Sequence, residues 1–335
     1  MAPTNVTVIV VPDFNLSATM GFIDAFRAAN YLQNATLFTW QITSPDGGLI
    51  RASNGVEVGT EPLDRQAPWR NDIVVVSSSW TPERYFNSPI LGFLRQQYQT
   101  GARLAGIDTG GFILARGGFL NEKAATVHYE HLDAFIELFP DVEAKEDICV
   151  FEDRVMTCCG GGAAVDFGLW IVRGLHGDAL ANAAARYIFQ GSIRHPNTRQ
   201  NSEVVEPIGS VVPSLVKKAI NVMEANLETP LSIPDLAVQV GISTRQLNRL
   251  FADYVRKPPS VYYRDIRLDR ARGLVTQTEM PIAEVALASG FACQVNFGRA
   301  YKARFGATPT GDRVDGRVPF AYRAWPMFGP GSTNG

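Results

Sequence analysis

The chain has 335 residues, 46% hydrophobic and 19% charged, with 31 Lys and Arg against 33 Asp and Glu for a net charge of −2. This ordinary globular composition excludes a disordered or fibrous chain, and at roughly 150 residues per domain the length predicts two domains. Four cysteines in so long a chain make no disulfide framework. Cys158 and Cys159 are adjacent while Cys149 and Cys293 stand far off, so neither a zinc-finger nor a CxxC spacing occurs. Four scattered histidines offer no metal site, and no cofactor is expected. The start, MAPTNVTVIVV, lacks a basic stretch and a cleavage site, and no apolar run approaches about 18 residues. The expectation is a cytoplasmic protein with no membrane partner.

In chain order, short Val- and Ile-rich runs predict buried parallel strands at Val6–Val11, Phe38–Thr43, Ile73–Val76 and Arg103–Ile107. Helices are predicted between and after them, at Ala18–Asn30, Ile90–Thr100, Asp133–Phe139, Ala163–Gly174 and Ala179–Phe189. Ile148–Phe151 and Arg154–Cys158 read as a hairpin feeding the Gly160-Gly161-Gly162 turn. The alternation predicts a doubly wound α/β sheet with its ligand crevice beyond the carboxyl ends of the strands. Residues 12–15, 77–80 and 108–111 are therefore where a ligand contact is expected.

The segment LAGIDTGGFILARGG (104–118) reads as strand, sharp elbow and helix, with Asp108 on the elbow. It resembles the elbow of the PfpI-type, class I glutamine amidotransferase-like family, and the similarity extends over about residues 5–190, through MTCCGGGAAVDFGLWIV. The resemblance implies a flavodoxin-like sheet and a nucleophilic Cys at the elbow, but the elbow residue here is Asp. A cysteine hydrolase or amidotransferase-like enzyme fused to a second module thus becomes the alternative reading, without its thiolate, and the chain is expected not to be an enzyme. Cys158 and Cys159 are expected to be small buried residues. The GIDTG elbow followed by HYE resembles the sensor domains of a subgroup of AraC/XylS-type regulators that respond to betaine-, carnitine- or arginine-like metabolites. Asp108 and Thr109 at the elbow, with Phe14, Trp80, His128 and Tyr129, are the candidate effector contacts, because a carboxylate with aromatic walls suits a cationic amine or quaternary ammonium compound. Two other assignments stand beside this one. One makes Asp108 a cap on the amides of Gly110 or Gly111, and the other makes His128 a structural hydrogen-bonding residue.

The last hundred residues hold one motif twice. LSIPDLAVQVGI (231–242) aligns with MPIAEVALASGF (280–291) at a shift of 49, and the shift becomes 50 beyond the turns, where Leu247, Arg249 and Phe251 meet Phe297, Arg299 and Tyr301. Each copy reads as helix–turn–helix, with capping pairs Ser232/Asp235 and Ser243/Gln246 and turn glycines Gly241 and Gly290. Ile233, Leu236, Ala237 and Val240 form the inner face of the first helix. Leu247, Leu250, Phe251 and Tyr254 point inward from the second. Arg245, Asn248, Arg249 and Ala252 are left outward in the first copy, and Gln294, Asn296 and Arg299 in the second. Forked Arg, Asn and Gln side chains match guanine and adenine edges in the major groove. Pro258-Pro259 and a helix over Ser260–Gln277 join the copies.

Over about a hundred residues this region resembles the AraC/XylS DNA-binding domain. The resemblance implies base contacts from Arg245, Asn248, Arg249, Gln294, Asn296 and Arg299, and phosphate contacts from Lys302 and Arg304. Val295 and Gly298 depart from the family pattern, in which polar residues are commoner. The expected organisation is a sensing and dimerisation domain over 1–195, a linker over 196–212, and a DNA-binding domain over 213–313. Within the last, the helix–turn–helix units are 231–254 and 280–304, and a flexible tail follows over 314–335. The expected function is sequence-specific transcription regulation. Its expected partners are double-stranded DNA, a small-molecule effector, a second copy of the chain and RNA polymerase. An architectural DNA binder whose first domain only dimerises is a further reading. Charge divides along the same boundary: residues 1–210 carry 15 basic and 23 acidic side chains, net −8, and residues 211–313 carry 14 and 9, net +5.

Overall fold

The computed structural model describes residues 2–63, 71–86, 89–200 and 213–315, with side chains to 313. Two compact units divide the chain after Gln200. In the first, the elements run β1 (Thr4–Val10), α1 (Leu16–Gln33), β2 (Phe38–Ser44), β3 (Gly48–Arg51), β4 (Glu57–Pro62), β5 (Ile73–Ser77), α2 (Pro89–Gln99) and β6 (Arg103–Ile107). They continue with α3 (Gly110–Arg116), β7 (Ala124–Ala125), α4 (Leu132–Leu138), β8 (Glu143–Ala144), β9 (Cys149–Phe151), β10 (Val155–Cys158), α5 (Ala163–His176) and α6 (Asp178–Tyr187).

The main sheet has the order β3-β4-β2-β1-β5-β6-β10-β9. Its six central strands are parallel, and β3 and β9 close the two edges antiparallel. β1 shows why the strands are continuous apolar runs: Val6, Val8 and Val10 face one core with α1 and α5, while Ile9 and Val11 face the other with α2, α3 and α4. Strand order reverses beside β1, with β2 on one side and β5 on the other, which opens a crevice at their carboxyl ends. The doubly wound fold agrees with the sequence reading, as does the hairpin of β9 and β10. The β3/β4 ribbon has no counterpart in that reading, because its residues are mostly exposed and present no apolar run.

The second unit contains α7 (Ser214–Glu224), α8 (Ile233–Val240), α9 (Thr244–Leu250), α10 (Pro259–Gln277), α11 (Ile282–Ala288), α12 (Gln294–Phe305) and α13 (Pro309–Asp315). The helix starts follow capping chemistry: Ser232 and Ser243 accept the amides of Asp235 and Gln246, each contributing about 1 kcal/mol. Gly241 ends α8 at φ 87°. α10 carries two cores along its length, one with Leu236, Leu247 and Phe251 and one with Val285, Phe297 and Tyr301. The second turn is held against the first half of the unit: a Cβ on Gly290 would stand 2.5 Å from the Leu227 carbonyl. Arg267 donates to the carbonyls of Ser289 and Gly290 at 3.0 and 2.6 Å while lying over the Phe291 ring.

Two expectations change here. Tyr254, expected inward, is 42% exposed. After Leu250 the helix widens into a π turn over Phe251–Val255, which adds a residue to the turn and brings Val255 to the core in its place. Residues 196–200, expected in the linker, are docked on the first unit by backbone hydrogen bonds to 146–149. Residues 201–212 of the expected linker and 316–335 of the expected tail lie outside the described residues. No described helix is long and apolar enough to cross a membrane.

α13 is fastened by Asp312, which is 1% exposed and accepts from Arg272 Nε at 2.9 Å and from the Tyr301 hydroxyl at 2.8 Å. Burial and this carboxylate push the Tyr301 hydroxyl above its ordinary range. Asp312→Ala strands a guanidinium and a buried hydroxyl. It is expected to lower stability by about 2–3 kcal/mol, read from urea denaturation of the full chain; an unchanged midpoint would show that α13 is not fastened this way.

Candidate functional site

The loops after β1, β5 and β6 meet at the switch in strand order. Phe14 pairs with Ser79 as an isolated antiparallel bridge. The Thr109 hydroxyl donates to the Ser79 carbonyl. Gly110 makes the approach possible, since a Cβ there would stand 2.1 Å from the Val76 carbonyl oxygen.

Asp108 sits on the elbow at φ 62° and is 4% exposed. Asp tolerates the left-handed region better than most residues. Its amide donates to the Cys158 carbonyl at 2.9 Å, and its carboxylate accepts from Asn15 Nδ2 at 3.0 Å. Asn15 Oδ1 meanwhile accepts the Ala18 amide, capping α1. The Asp108 carboxylate also takes the Thr109 amide. Helix α3 starts after Thr109, so the alternative of Asp108 capping Gly110 or Gly111 is replaced by these contacts. Gly160, at φ 88°, closes one side of the carboxylate: a Cβ there would stand 2.9 Å from Asp108 Oδ2.

Burial raises the Asp108 carboxyl to about 6, against the opposing effects of His128 and of the Asn15 hydrogen bond, with Glu130 raising it further. His128 caps the short turn Tyr129–His131, its Nδ1 accepting the Glu130 amide at 3.4 Å, and its ring lies 4.6 Å from that of Tyr129. The structural hydrogen-bonding role for His128 is thus seen in the geometry. Tyr129 is 49% exposed, and Trp80 is half-buried directly after Ser79. The structure therefore sets Asp108 and Thr109 together on the elbow and Tyr129 beside His128, whose electrostatic influence reaches Asp108. Phe14 is corrected: its side chain is wholly buried in the core and forms no wall. The sequence reading covered Asn15 only within the stretch 12–15, and it missed Gly160 and Glu130 as parts of the site. An Asn three residues before Ala18 was legible as a helix cap, but its second hydrogen bond, to Asp108, is not a local feature.

Cys158 and Cys159 are buried, and both thiols are held above their ordinary range. Burial dominates at Cys158; at Cys159 the hydrogen bond with Cys158 comes first. Neither forms a thiolate near neutral pH. Among the described residues no group of His, Cys, Asp and Glu could hold a metal ion.

In the second unit, Arg245, Asn248 and Arg249 are exposed on α9, and Gln294, Asn296, Arg299 and Lys302 on α12. Asn248 Nδ2 donates back to the Thr244 carbonyl at 2.9 Å. The caps Ser243 and Cys293 occupy matching positions, which puts the two helices in register at a shift of 50. One outward row then reads Arg245, Arg249, Ala252 and its counterpart reads Val295, Arg299, Lys302, each at i, i+4, i+7. The counterpart of Arg245 is thus Val295, 61% exposed. Arg304, expected at phosphate, is corrected: its guanidinium reaches Asp265 at 3.0 Å and pairs with both oxygens of Asp269. It ties α12 to α10 instead.

Comparison with known proteins agrees with these two constructions. Residues 5–174 match the DJ-1/PfpI family profile, and residues 236–313 match a helix-turn-helix domain profile. The HTH-type transcriptional regulator CdhR of Pseudomonas aeruginosa is 34% identical over 91% of this chain and 90% of its own length. The HTH-type transcriptional regulator GbdR of the same species is 33% identical over 93% of this chain and 84% of its own. A crystal structure of an AraC family transcriptional regulator from Pseudomonas putida shares the fold of 56% of this chain and all of its own, at TM-score 0.52 and 24% identity. With two profiles in series and a relative 34% identical over 91% of the chain, the chain belongs to the AraC-type helix-turn-helix transcriptional regulators that carry a DJ-1/PfpI domain.

Proposed function

We propose that this regulator reads a specific DNA sequence through α9 and α12, under the control of a small cationic metabolite held at the Asp108 elbow. The effector class is an amine, a quaternary ammonium compound or an amino acid. The observation that carries the reading is a buried carboxylate at the elbow, where the family's enzymes need a thiolate, with a second acidic residue close enough to raise it. A cation there neutralises two carboxylates and gains cation–π contact from Tyr129 and Trp80. The first unit senses the metabolite and dimerises, and the paired second units engage a repeated operator in the cytoplasm, with RNA polymerase as the downstream partner. The effector acts through unequal affinity for DNA-competent and incompetent states.

On the DNA side, the proposal gives Arg245, Arg249 and Arg299 to base edges, Val295 to a thymine methyl group and Lys302 to phosphate, and the outward rows support it. Asn248, Gln294 and Asn296 flank the rows. Arg245→Ala is expected to cost about 1–3 kcal/mol of discrimination at one base position, whereas Lys302→Ala should weaken all sequences alike and lower the salt slope by about 1. Fluorescence anisotropy on a selected operator and its single-base variants separates the two; unchanged specificity in Arg245→Ala would remove its role.

Asp108 is tested through its charge. Its carboxyl titrates at about 6 in the folded chain against 3.8 unfolded. The folded state therefore binds the proton more tightly, and the stability this group contributes is complete below the unfolded value and lost as pH rises through about 6. Asp108→Asn should accordingly stabilise the chain near neutral pH by on the order of 3 kcal/mol, the gain fading towards about pH 4. The same variant should lose thermal-shift stabilisation by amines and quaternary ammonium compounds. In the wild type that stabilisation should weaken as pH falls through about 6. Stabilisation by anionic or neutral compounds alone would remove the cationic reading.

The enzymatic alternative is tested by thiol labelling at neutral pH with identification of the modified sites. Cys293 is exposed, and the amides of Asn296 and Val295 lower its thiol below the ordinary range, so it should react while Cys149, Cys158 and Cys159 are spared. Fast labelling of Cys158 or Cys159 would restore a nucleophile to the elbow region.

A further inference from the structure

Two opposite charges stand at the two ends of the glycine turn that faces the elbow. The turn, Gly160-Gly161-Gly162, leads from β10 into α5. At its first residue a Cβ would stand 2.9 Å from Asp108 Oδ2, and at its last a Cβ would stand 3.9 Å from Arg194 Nη2. Two residues of chain separate their α-carbons by at most about 7 Å, so the carboxylate and the guanidinium flank one short stretch of backbone. Between them, a Cβ on Gly161 would meet nothing within 4 Å. Bare backbone with open space over it lets a ligand lie close.

Arg194 is held in a fixed direction by α5. The Asp166 carboxylate, fully buried in the first turn of that helix, accepts the Arg194 amide at 2.9 Å, its Nε at 2.8 Å and its Nη2 at 2.7 Å. One turn further on, Trp170 Nε1 donates to the Arg194 carbonyl at 2.8 Å. A guanidinium carries five N–H donors. Asp166 takes that of Nε and one of Nη2, and among the described residues no hydrogen bond uses the other three, while the side chain is 42% exposed. An ion pair that only secured the chain would need no more than the edge that Asp166 takes. The opposite edge is planar and preset, and it matches the two oxygens of a carboxylate. Cys159 stands beside the same turn and its thiol feels both charges: after the effects of Cys158 and of burial, Asp108 raises it and Arg194 lowers it.

We propose that Arg194 is the anion-binding residue of the elbow site, so that the effector is a zwitterion whose cationic end meets Asp108 and whose carboxylate meets the free edge of Arg194 across the glycine turn. This rests on reading Asp108 as the cation site and adds its second anchor. A zwitterion pairs with both walls at once, whereas a plain amine leaves the guanidinium edge to water. Two anchors on one rigid turn also fix the distance between the ligand's charges, which selects among ligands of different length.

The test is calorimetry at neutral pH on the full-length chain with three matched sets of probes. These are trimethylammonio carboxylates with one to five methylenes between the charges, alkyltrimethylammonium ions of the same lengths, and the corresponding alkyl carboxylates. In the wild type the best zwitterion should bind at least about tenfold tighter than the alkyltrimethylammonium ion of its length, the factor that a charge-assisted hydrogen bond supplies. Arg194→Gln should abolish that preference without weakening the alkyltrimethylammonium ion. Because this variant strands a buried carboxylate, the double variant Asp166→Asn/Arg194→Gln is made beside it. It removes both charges together and should show the same loss. Equal affinity for the two cationic probes in the wild type, or a preference that survives in either variant, overturns the role of Arg194 and leaves the reading of Asp108 standing. Alkyl carboxylates that bind where alkyltrimethylammonium ions do not would remove the reading of Asp108 and keep the anion site. If no probe binds, both fall. If neither variant folds, the comparison within the wild type decides.

Discussion

The hydrogen bond between Asn15 and Asp108 closes the α/β unit across the point where its strand order reverses. One side chain caps α1 and orients the elbow carboxylate at once, so the loop after β1 and the loop after β6 cannot move independently. Around that bond the remaining geometry follows. Gly160 presses its backbone on the carboxylate, Thr109 ties the elbow to Ser79, and the glycine at 110 lets α3 sit against β5. The constraint has an electrostatic cost, because a carboxylate in a dry, strained position near Glu130 is a poorly solvated charge. Strongly shifted groups of this kind are enriched at functional sites.

The second unit is organised by repetition. Two helix–turn–helix copies share α10 as a common support, and each contributes its own core. Buried carboxylates hold the ends of this arrangement: Asp265 gathers Lys257 and Arg304, and Asp312 gathers Arg272 and Tyr301. These pairs tie α12 and α13 to α10, which supports the outward row of α12. They also explain why a count of basic residues overstates the charge available to a polyanion, since several of them are neutralised within the unit.

Much of the fold was legible in the sequence because its signals are local. Continuous apolar runs marked β1, β5 and β6, capping serines marked the starts of α8 and α9, and duplication exposed both helix–turn–helix copies. The β3/β4 ribbon escaped because its strands are too exposed for an apolar pattern. Tyr254 was misplaced because helical spacing was carried through a π turn that no propensity announces. In the candidate site the elbow itself was visible from GIDTG. Phe14 was read as a wall from its position after a strand, although its ring turns into the core.

The sequence by itself determined the two-part architecture, the Asp at the elbow and the paired recognition helices, all of which depend on residues near one another in the chain. Only the tertiary structure decided which partners those residues meet: Asn15 at Asp108 across 93 positions, Asp269 at Arg304 across 35, and Val127 at Gln200 across 73. Those contacts depend on how far apart segments dock. Hydrogen bonding and burial at that range are set by packing of the whole unit, and no local pattern records them.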